Sequence, residues 1–390
     1  MLEAMDLRRP PFAAITVAGT NGKGSTVAML DACLRDGGYR VGAYTSPHFR
    51  RYNERVHIEG REATDAELCA AFECVEQARG SIPLTYFEFG TLAAFELFRN
   101  HKIDIAVLEV GMGGRLDAVN AIDADVAIVT SIGIDHTAWL GSDRESIGRE
   151  KAGVFRAGRP AVCGDPHPPA SIAETAASVG AQLLQIDRDF FVGFSDIAWA
   201  WRFAGNVRGG LPFPALRGDY QLRNAACVLT ALASISERFP LSQTNIRVGL
   251  TRAVIPGRLQ VLPGLPTRVL DVAHNPDAAR ALADMLKRQF VKGTTHAVFG
   301  MLKDKDIAGV VRAMNGVVDH WHVATLHTPR TASAEDIVAT CRAVGVKAPV
   351  QTYTDIRAAY DAVCATATKD DRILVFGSFY TVGDILAASD

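Results

Sequence analysis

The sequence predicts an α/β protein of two domains: a doubly wound sheet with a small antiparallel β subregion, followed by a second, Rossmann-like α/β domain. Three observations lead to this prediction. Short, almost wholly apolar runs, typical of strands buried on both faces, alternate along the chain with segments of helical periodicity. Prolines and glycines crowd residues 256–266, and a second alternating series follows them. At 390 residues, the chain is also long for a single hydrophobic core.

Composition and charge exclude several classes of function. Hydrophobic residues make up 48% of the chain and charged residues 22%, which is typical of a globular protein. The formal net charge of −2 gives no general attraction to nucleic acid or to anionic membranes. The seven cysteines are scattered and form no Cys-x-x-Cys pair, as expected for reduced thiols in a cytoplasm. We therefore expect a cytoplasmic protein that binds neither nucleic acid nor membranes.

The first element is a strand, a glycine-rich loop and a helix. An apolar run at residues 12–18 predicts the strand, residues 19–25 read Gly-Thr-Asn-Gly-Lys-Gly-Ser, and an amphipathic helix is predicted from near Ser25. Backbone N–H groups at a helix start, approached closely through glycines, suit a polyphosphate. Lys23 would then meet the terminal phosphates, and the hydroxyl of Ser25 or Thr26 would meet magnesium. The segment predicts a phosphate-loop NTPase-like fold for this domain. Its spacing departs from the usual Gly-x-x-x-x-Gly-Lys-Ser/Thr pattern, so the alternative is an ordinary glycine-rich βα turn that binds no phosphate.

A second strand and its loop follow. The strand is predicted at residues 39–44, and it ends in Thr-Ser-Pro-His. Residues 50–55 look too polar to belong to a core. Because ligands of α/β sheets usually bind where strands end, this loop is expected to face a ligand. Helices are predicted at residues 64–79 and from residues 84–89 onward.

Two further buried strands carry polar residues at their ends. Residues 103–110 form an apolar run with Glu109 near its end, and residues 125–131 form another that leads to His136. A buried carboxylate needs a cation, so Glu109 should meet either an arginine or magnesium, which prefers oxygen ligands. Imidazole is an unusual magnesium ligand, and a local hydrogen-bonding role for His136 is equally compatible with its residue type. Since parallel strands end at one edge of a sheet, Glu109, His136 and the glycine loop should converge.

The rest of the first domain is predicted to contain two helices and a few strands. The first helix is predicted at residues 142–155 and carries Lys151 beside a glutamate, a pattern typical of a solvated pair. Residues 190–201 are aromatic and roughly alternating, which predicts the antiparallel subregion. A further helix is predicted at residues 221–238, with Asn224 in its first turn.

The predicted boundary divides the chain into domains of residues 1–258 and 259–390. The first strand of the second domain ends at Asp271, a position that faces ligands in α/β folds but could equally be a polar turn. Arg258 could reach a phosphate or brace the domains. The further elements predicted there are helix 277–290, strand 295–300, helix 307–314, strand 321–325, a helix from residue 333, a helix at 355–367 and strand 372–376.

Taken together, these segments resemble the bacterial folylpolyglutamate synthase/dihydrofolate synthase family, whose members are relatives of the Mur peptidoglycan ligases. The phosphate loop alone indicates only a nucleotide-binding ligase of the wider group, whereas Thr-Ser-Pro-His and Thr-Tyr-Phe-Glu narrow the resemblance to the folate branch. The matching segments follow the family's order and are residues 19–25, 45–48, 85–88, 108–120, 130–136, 150–153, 256–260, 271–276, 298–306 and 377–382.

The resemblance implies an ATP-dependent ligase that joins L-glutamate to 7,8-dihydropteroate, giving dihydrofolate, and to tetrahydrofolates, giving folylpolyglutamates. The substrate carboxylate would attack the γ-phosphate, giving an acyl phosphate and ADP, and the amine of glutamate would then attack the activated carbonyl. The implied cofactor is magnesium, with ATP as co-substrate and potassium as a further candidate. The resemblance also implies a monomer with small-molecule substrates, in which the first domain binds ATP and pterin and the second is the glutamate-binding side.

The resemblance further implies roles for individual residues. Expected ATP contacts are Thr20, Asn21, Gly22, Lys23, Gly24, Ser25, Asn224, Arg258, Asp271 and His274. Expected magnesium ligands are Ser46, Glu109 and His136. Expected pterin contacts are Thr85, Tyr86, Phe87, Glu88, Leu116, Asp117 and Ala118, with Asp117 bonded to the pterin ring. Lys151 matches a lysine that is carbamylated in the family, and the expected catalytic residues are Lys23, Glu109, His136 and Lys151.

Two other interpretations are left open. A Mur-type ligase that acts on another carboxylate should have a UDP-binding domain before the phosphate loop, where this sequence offers only a short segment. A phosphate-loop nucleotide-binding protein without ligase chemistry is the other, and the second α/β domain, with Asp271 and His274, argues against it.

Overall fold

A computed structural model describes residues 1–387 of the chain. Contacts divide the chain into two compact units, Met1–Ile255 and Pro256–Asp390, and each is described by itself. Each unit contains a largely parallel sheet with helices, so the predicted α/β class is confirmed. No helix within residues 1–387 combines the length and the apolar character that a membrane span requires.

The first unit is built on an eight-stranded sheet. Its strands are β1 (Ala13–Ala18), β2 (Val41–Tyr44), β3 (Val56–Ile58), β4 (Arg61–Glu62), β5 (Ile105–Glu109), β6 (Val126–Val129), β7 (Pro160–Cys163) and β8 (Gln182–Gln185). The strand order is β4-β3-β2-β5-β1-β6-β7-β8, and only β3 and β4 run antiparallel to their neighbours. On the central strand β1, Val17 pairs with Glu109 of β5 and with Ile128 of β6, so the carboxyl ends of these strands lie side by side.

Helices cover both faces of this sheet. They are α1 (Lys23–Asp36), α2 (Asp65–Arg79), α3 (Tyr86–Asn100), α4 (Thr137–Leu140), α5 (Arg144–Ala152), α6 (Ala170–Val179), α7 (Asp219–Ser234) and α8 (Gln243–Arg252), with short 3-10 helices at Tyr52–Arg55 and Ala118–Ala121. Because side chains alternate along a strand, Ile15 and Val17 of β1 pack in the layer of α1, α7 and α8. Ala14 and Ala18 pack in the opposite layer with α2 and α3, which explains the unbroken apolar run.

The predicted antiparallel subregion is a three-stranded sheet of β9 (Phe190–Phe194), β10 (Trp199–Phe203) and β11 (Asn206–Leu211). Two buried tryptophans, Trp199 and Trp201, attach it to the core. The Nε1 of Trp201 donates to Thr230 Oγ1 on α7 at 3.0 Å, so the polar atom of this ring is satisfied inside the core.

The second unit contains a six-stranded sheet in the order β12-β13-β17-β14-β15-β16, in which only β12 is antiparallel. Its strands are β12 (Gln260–Leu262), β13 (Thr267–Asp271), β14 (Thr295–Phe299), β15 (His320–Ala324), β16 (Val350–Tyr353) and β17 (Arg372–Phe376). Its helices are α9 (Pro276–Arg288), α10 (Ile307–Met314), α11 (Ala334–Val344), α12 (Ile356–Thr366) and α13 (Phe379–Leu386).

Several helix boundaries differ from the prediction. The helix expected at residues 142–155 is shorter, because the Asp143 carboxylate caps the start of α5 by accepting from Ser146 N at 2.8 Å and Gly153 caps its end. The helix expected at residues 221–238 begins earlier and ends at Ser234, which places Asn224 in its second turn.

The polar segment after β2 is also more buried than expected. Asn53 and Arg55 are buried, although the segment looked too polar for a core. Asn53 Nδ2 donates to Ala63 O at 2.7 Å, and Arg55 Nε donates to His48 Nδ1 at 2.8 Å. These partners satisfy the polar atoms, so their burial carries no unpaired group.

Candidate active site

The glycine-rich loop joins β1 to α1 through two positions that only glycine fits. Gly22, the N-cap of α1, has φ 90°, and Gly19 has φ 145°. A β-carbon added at Gly19 would lie 1.9 Å from Thr130 Oγ1, and one at Gly22 would lie 2.7 Å from Asn224 Oδ1. The helix begins at Lys23 rather than near Ser25, so its first N–H groups belong to the loop itself.

The loop is held against the segment that follows β6. Thr20 N donates to Ser131 O at 2.7 Å, and Gly133 N donates to Thr20 Oγ1 at 3.0 Å. Asn21 N donates to Ser131 Oγ at 3.1 Å, and Thr130 Oγ1 donates to Asn21 O at 2.7 Å. The same segment continues to His136, so the structure brings the glycine loop and the end of β6 together as expected.

The Lys23 ammonium group lies over the loop. Its Nζ donates to Gly19 O at 3.0 Å and to Thr20 O at 3.2 Å. A positive charge therefore stands beside the N-terminal end of α1, where the helix dipole also favours an anion.

A buried chain of amides links α1 to α7. Gln221 Nε2 donates to Ser25 Oγ at 3.1 Å, and Asn224 Nδ2 donates to Gln221 Oε1 at 2.9 Å. The amide of Asn224 in turn lies against Gly22. Sequence reasoning selected Ser25 and Asn224 but missed Gln221, which the helical spacing of three residues from Asn224 could have indicated.

Two of the expected magnesium ligands lie together beside the start of α1. Glu109 is 5% exposed, and its Oε2 accepts from Ser46 N at 3.3 Å. The same oxygen would lie 3.6 Å from a β-carbon at Gly24. A carboxylate and a neighbouring serine supply the oxygen donors that magnesium prefers, so these residues fit the ion. In the part of the chain that the structure describes, no group of three or more His, Cys, Asp or Glu side chains could hold a metal ion.

His136 lies at the start of α4 as its N-cap, with φ 52°. Its backbone N donates to Asp135 Oδ1 at 2.8 Å, and its carbonyl accepts from Leu140 N at 3.0 Å. The residue is exposed, so a ligand can reach its imidazole. Its role as a magnesium ligand stays a prediction.

Lys151 is not the solvated residue that its neighbourhood in the sequence indicated. It is 4% exposed near the end of α5. Burial and, to a smaller extent, the positive charge of Lys23 lower its pKa to about 7, although the charges of Asp135 and Asp117 oppose this shift. Lys23, Lys151, Asp117 and Asp135 thus act on one another electrostatically beside the phosphate loop.

The expected pterin segment at the start of α3 has a local structural role. Thr85 N donates to Glu88 Oε2 at 2.7 Å and Glu88 N donates to Thr85 Oγ1 at 3.3 Å, which is a capping box. The hydrogen bond from Thr85 N, with a smaller contribution from the Thr85 side chain, lowers the pKa of the Glu88 carboxyl. The Phe87 ring packs on Tyr44, with 5.8 Å between ring centroids, and lies against Gly111.

Asp117 is fixed within the loop that follows β5. Its carboxylate accepts from Met112 N at 2.9 Å and from Val119 N at 3.1 Å. Burial raises the pKa of this carboxyl, and the two hydrogen bonds and the charge of Lys23 oppose the increase. Its neighbour Leu116 is 80% exposed, whereas Ala118 begins a 3-10 helix.

An aromatic cavity of about 490 Å³ lies between α2, α3 and the 3-10 helix Tyr52–Arg55. Within the expected pterin segment, Thr85 and Tyr86 line it, whereas Phe87 and Glu88 do not. The Arg55 guanidinium lies 5.5 Å from the ring centroids of both Tyr52 and Tyr86. The lining residues are Tyr52, Phe72, Glu76, Arg79, Leu84, Thr85, Tyr86, Phe89 and Gly90.

In the second unit, the expected ATP contacts cluster at the end of β13. Asp271 accepts from Leu259 N at 2.9 Å and from Ala273 N at 2.8 Å. Burial raises the pKa of this carboxyl, and the nearby charge of Arg258 opposes the increase. The Arg258 guanidinium lies 5.7 Å from the ring centroid of Phe379, and His274 Nδ1 donates to Val272 O at 2.8 Å.

Two family models match this chain. The model described as Mur ligase middle domain matches residues 17–164, and the model described as Mur ligase, glutamate ligase domain matches residues 257–379. Together they cover more than half of the sequence.

Individual proteins and solved structures are similar over almost the full length. The dihydrofolate synthase/folylpolyglutamate synthase of Escherichia coli K12 is 44% identical over 98% of this chain and 88% of its own length. A structure of Escherichia coli FolC in complex with DHPP and ADP has a TM-score of 0.94 at 43% identity, covering 100% of this chain and 91% of that one. A bifunctional folylpolyglutamate synthase/dihydrofolate synthase with Mn, AMPPNP and L-glutamate bound has a TM-score of 0.93 at 47% identity, covering 100% and 92%.

Proposed function

The chain belongs to the dihydrofolate synthase/folylpolyglutamate synthase family of Mur ligases, and we propose from this premise that it joins L-glutamate to 7,8-dihydropteroate and to tetrahydrofolates. It is an ADP-forming ligase that uses ATP as co-substrate. The observation that carries the proposal is the meeting of three features at one edge of the first sheet. They are the phosphate loop, the Glu109 carboxylate with the adjacent Ser46, and the buried Lys151, whose charge interacts with that of Lys23.

The nucleotide is proposed to bind with its phosphates at the start of α1. Backbone N–H groups from Gly22 to Ser25 would face the phosphate oxygens, whereas Thr20 and Asn21, whose N–H groups donate to Ser131, would shape the loop around them. The Lys23 ammonium group would leave the Gly19 and Thr20 carbonyls and donate to the phosphate instead. Asn224, which lies against Gly22, is proposed as a further contact. In the second unit, the proposed contacts are Arg258, Asp271 and His274.

Magnesium is the proposed metal, held by Ser46, Glu109 and His136. When bound, it supplies positive charge to the phosphate oxygens. Glu109 is buried and close to Gly24, so its negative charge favours a divalent cation beside the phosphate loop.

The chemistry requires the protein mainly to position reactants and stabilise charge. An oxygen of the pteroate carboxylate attacks the γ-phosphorus, the bond from that phosphorus to ADP breaks, and an acyl phosphate forms. The nitrogen of glutamate then attacks the acyl carbon, phosphate leaves with the carboxylate oxygen, and the nitrogen loses a proton. Lys23 and the N–H groups of the loop are proposed to stabilise the charge that develops on the transferred phosphoryl group.

Lys151 is proposed to be carbamylated. Its neutral amine would attack the carbon of CO₂, a C–N bond would form, and the lost proton would pass to solvent. A pKa of about 7 leaves a large neutral fraction at physiological pH, which supports this modification. The resulting anion would also relieve the repulsion between Lys151 and Lys23. A native intact mass measured at high bicarbonate should exceed the unmodified mass by one CO₂. An unmodified mass together with active-site density for a free amine would contradict the proposal.

The pteridine is proposed to contact the segments Thr85–Glu88 and Leu116–Ala118. The aromatic cavity beside Tyr86 supports a flat ligand, since its volume is within the usual range for small-molecule sites. Asp117 is the proposed hydrogen-bonding partner of the pterin ring. The Glu88 side chain is part of the capping box of α3, so we propose that it contributes to pteridine binding by fixing the positions of Tyr86 and Phe87.

The activity is tested by ADP release. We expect release with dihydropteroate plus L-glutamate and with tetrahydrofolate plus L-glutamate, and none when the pteridine is omitted. Release that needs no pteridine would contradict the folate assignment. Release with dihydropteroate alone would remove the second activity but leave the first.

The protein is also proposed to be a cytoplasmic monomer. All seven of its cysteines are free in the structure, which supports a reducing compartment. Light scattering after size exclusion should give the mass of a single chain, and a larger mass would contradict the monomer.

A further inference from the structure

The loop that carries Asp117 is bound tightly to the end of α5, which carries Lys151. We refer to residues 111–120 as the Asp117 loop. Arg115 N donates to Glu150 O at 2.8 Å, and Arg115 Nε and Nη2 both donate to Glu150 Oε1 at 3.0 Å. A β-carbon added at Gly114 would lie 2.8 Å from Lys151 O, so the two backbones pack closely. The loop and the helix end therefore form one continuous packed structure.

Asn120 lies at the end of the Asp117 loop, where the loop contacts the end of α5. Both the amide nitrogen and the amide oxygen of its side chain form hydrogen bonds there. Its Nδ2 donates to Arg115 O at 3.1 Å and to Gly153 O at 3.0 Å. Its Oδ1 accepts from Arg156 Nη2 at 2.9 Å, and its backbone carbonyl accepts from the same nitrogen at 2.9 Å. Arg156 is itself paired with Asp123. One side chain thus bridges the two halves of the loop and the turn that follows α5.

The hydrogen bonds of Asn120 connect the loop that carries Asp117 to the helix that carries Lys151. Asp117 and Asn120 belong to the same loop, and Gly153 caps the helix that carries Lys151. We propose that Asn120 is a positioning residue that sets the separation between Asp117 and Lys151. This inference rests on the proposed function, because it takes Asp117 as the pterin contact and Lys151 as a group beside the reacting phosphate. Asn120 acts only through these neighbours and does not touch the substrate.

Asn120→Ala and Asn120→Asp test the inference together. The alanine variant removes every side-chain bond of the bridge. The aspartate variant keeps an acceptor for Arg156 but has no N–H group for Arg115 O and Gly153 O, and it carries the test if the alanine variant does not fold. Asn245→Ala is the matched control, since Asn245 Nδ2 donates to Asp36 O at 2.9 Å and to Asp36 Oδ2 at 3.1 Å. Its Oδ1 accepts from Ser242 N at 2.9 Å, so the control loses a similar number of bonds at the far end of α1.

We expect kcat/KM for dihydropteroate to fall at least about tenfold in both Asn120 variants, because small displacements of reacting groups are costly in rate. The Kd for ADP, measured by calorimetry without pteridine, should stay within about twofold of the wild-type value, since the phosphate loop is untouched. The Asn245→Ala variant should keep both values.

Unchanged kcat/KM in either folded Asn120 variant would overturn the inference, as would an equal loss of ADP affinity, which would indicate general loosening of the fold. A similar fall in the Asn245→Ala variant would overturn it too. Wild-type protein that releases no ADP with dihydropteroate and glutamate would instead overturn the proposed function, and this inference with it.

Discussion

Replacing Lys151 with methionine should stabilise the fold while it removes activity. Lys151 is buried, and burial lowers its pKa from an ordinary 10.5 to about 7. Because the pKa in the folded state lies below that in the unfolded state, the unfolded chain binds more protons between these two values. The free energy of unfolding of the wild-type protein should therefore rise with pH through this window, and below it the cost of the buried charge is fully present.

The size of the effect follows from the same two pKa values. At ~1.4 kcal/mol per pKa unit, the buried amine costs about 4 kcal/mol of folding free energy at pH 7. Methionine has a similar volume and no charge, so Lys151→Met should recover this free energy at pH 7. The advantage of the variant should shrink steadily as the pH approaches 10.5.

Urea unfolding of both proteins at several pH values, in buffers freed of CO₂ so that the amine stays unmodified, measures this difference. Lys102→Met, at an exposed position of the same unit, is the control and should change the free energy of unfolding little. A Lys151→Met variant that is no more stable than wild type at pH 7, or whose advantage does not depend on pH, would refute the reasoning.

Three further predictions concern the nucleotide site. Gly22→Ala should weaken ADP binding at least about tenfold in calorimetry, because φ is 90° there and the new β-carbon would lie 2.7 Å from Asn224 Oδ1; unchanged affinity would contradict this. Glu109→Gln should weaken AMPPNP binding in magnesium and abolish ADP release, yet leave ADP binding in EDTA intact; equal losses in both buffers would show that the metal is misplaced. Gln221→Ala should raise the KM for ATP about fivefold, the equivalent of about one hydrogen bond, through loss of its link to Ser25; a KM that does not change would show that Asn224 needs no support.

Much of the fold could be predicted because its signals are local. The apolar run at residues 12–18 indicates a strand buried on both faces, and its side chains do alternate between two core layers. The helix N-caps Thr64 and Ser333 could be recognised because a hydroxyl residue directly before a helical pattern is a local signal. In the structure, each hydroxyl accepts a hydrogen bond from the backbone N–H three residues later. The bounds of the helix expected at residues 142–155 are harder to predict, because they depend on how Asp143 and Gly153 cap the two ends of α5.

The site could be predicted only where its residues are close in sequence or where family resemblance named them. The glycine loop combines its lysine, glycines and hydroxyls within a few residues. The burial of Lys151, by contrast, depends on the packing of Gly114 against the end of α5, which no local pattern contains. Asn120 was missed for the same reason, since its partners Gly153 and Arg156 come from a distant part of the chain. Gln221 has a local signal in its spacing from Asn224, but its partner Ser25 is also distant in sequence.

The central claim is that the pteroate carboxylate is activated as an acyl phosphate at the phosphate loop. Dihydropteroate labelled with ¹⁸O in its carboxylate tests it directly, with ATP and L-glutamate present and the released phosphate analysed by mass spectrometry. The proposed chemistry transfers one labelled oxygen to each phosphate released. Phosphate that carries no label, formed together with dihydrofolate, would contradict it.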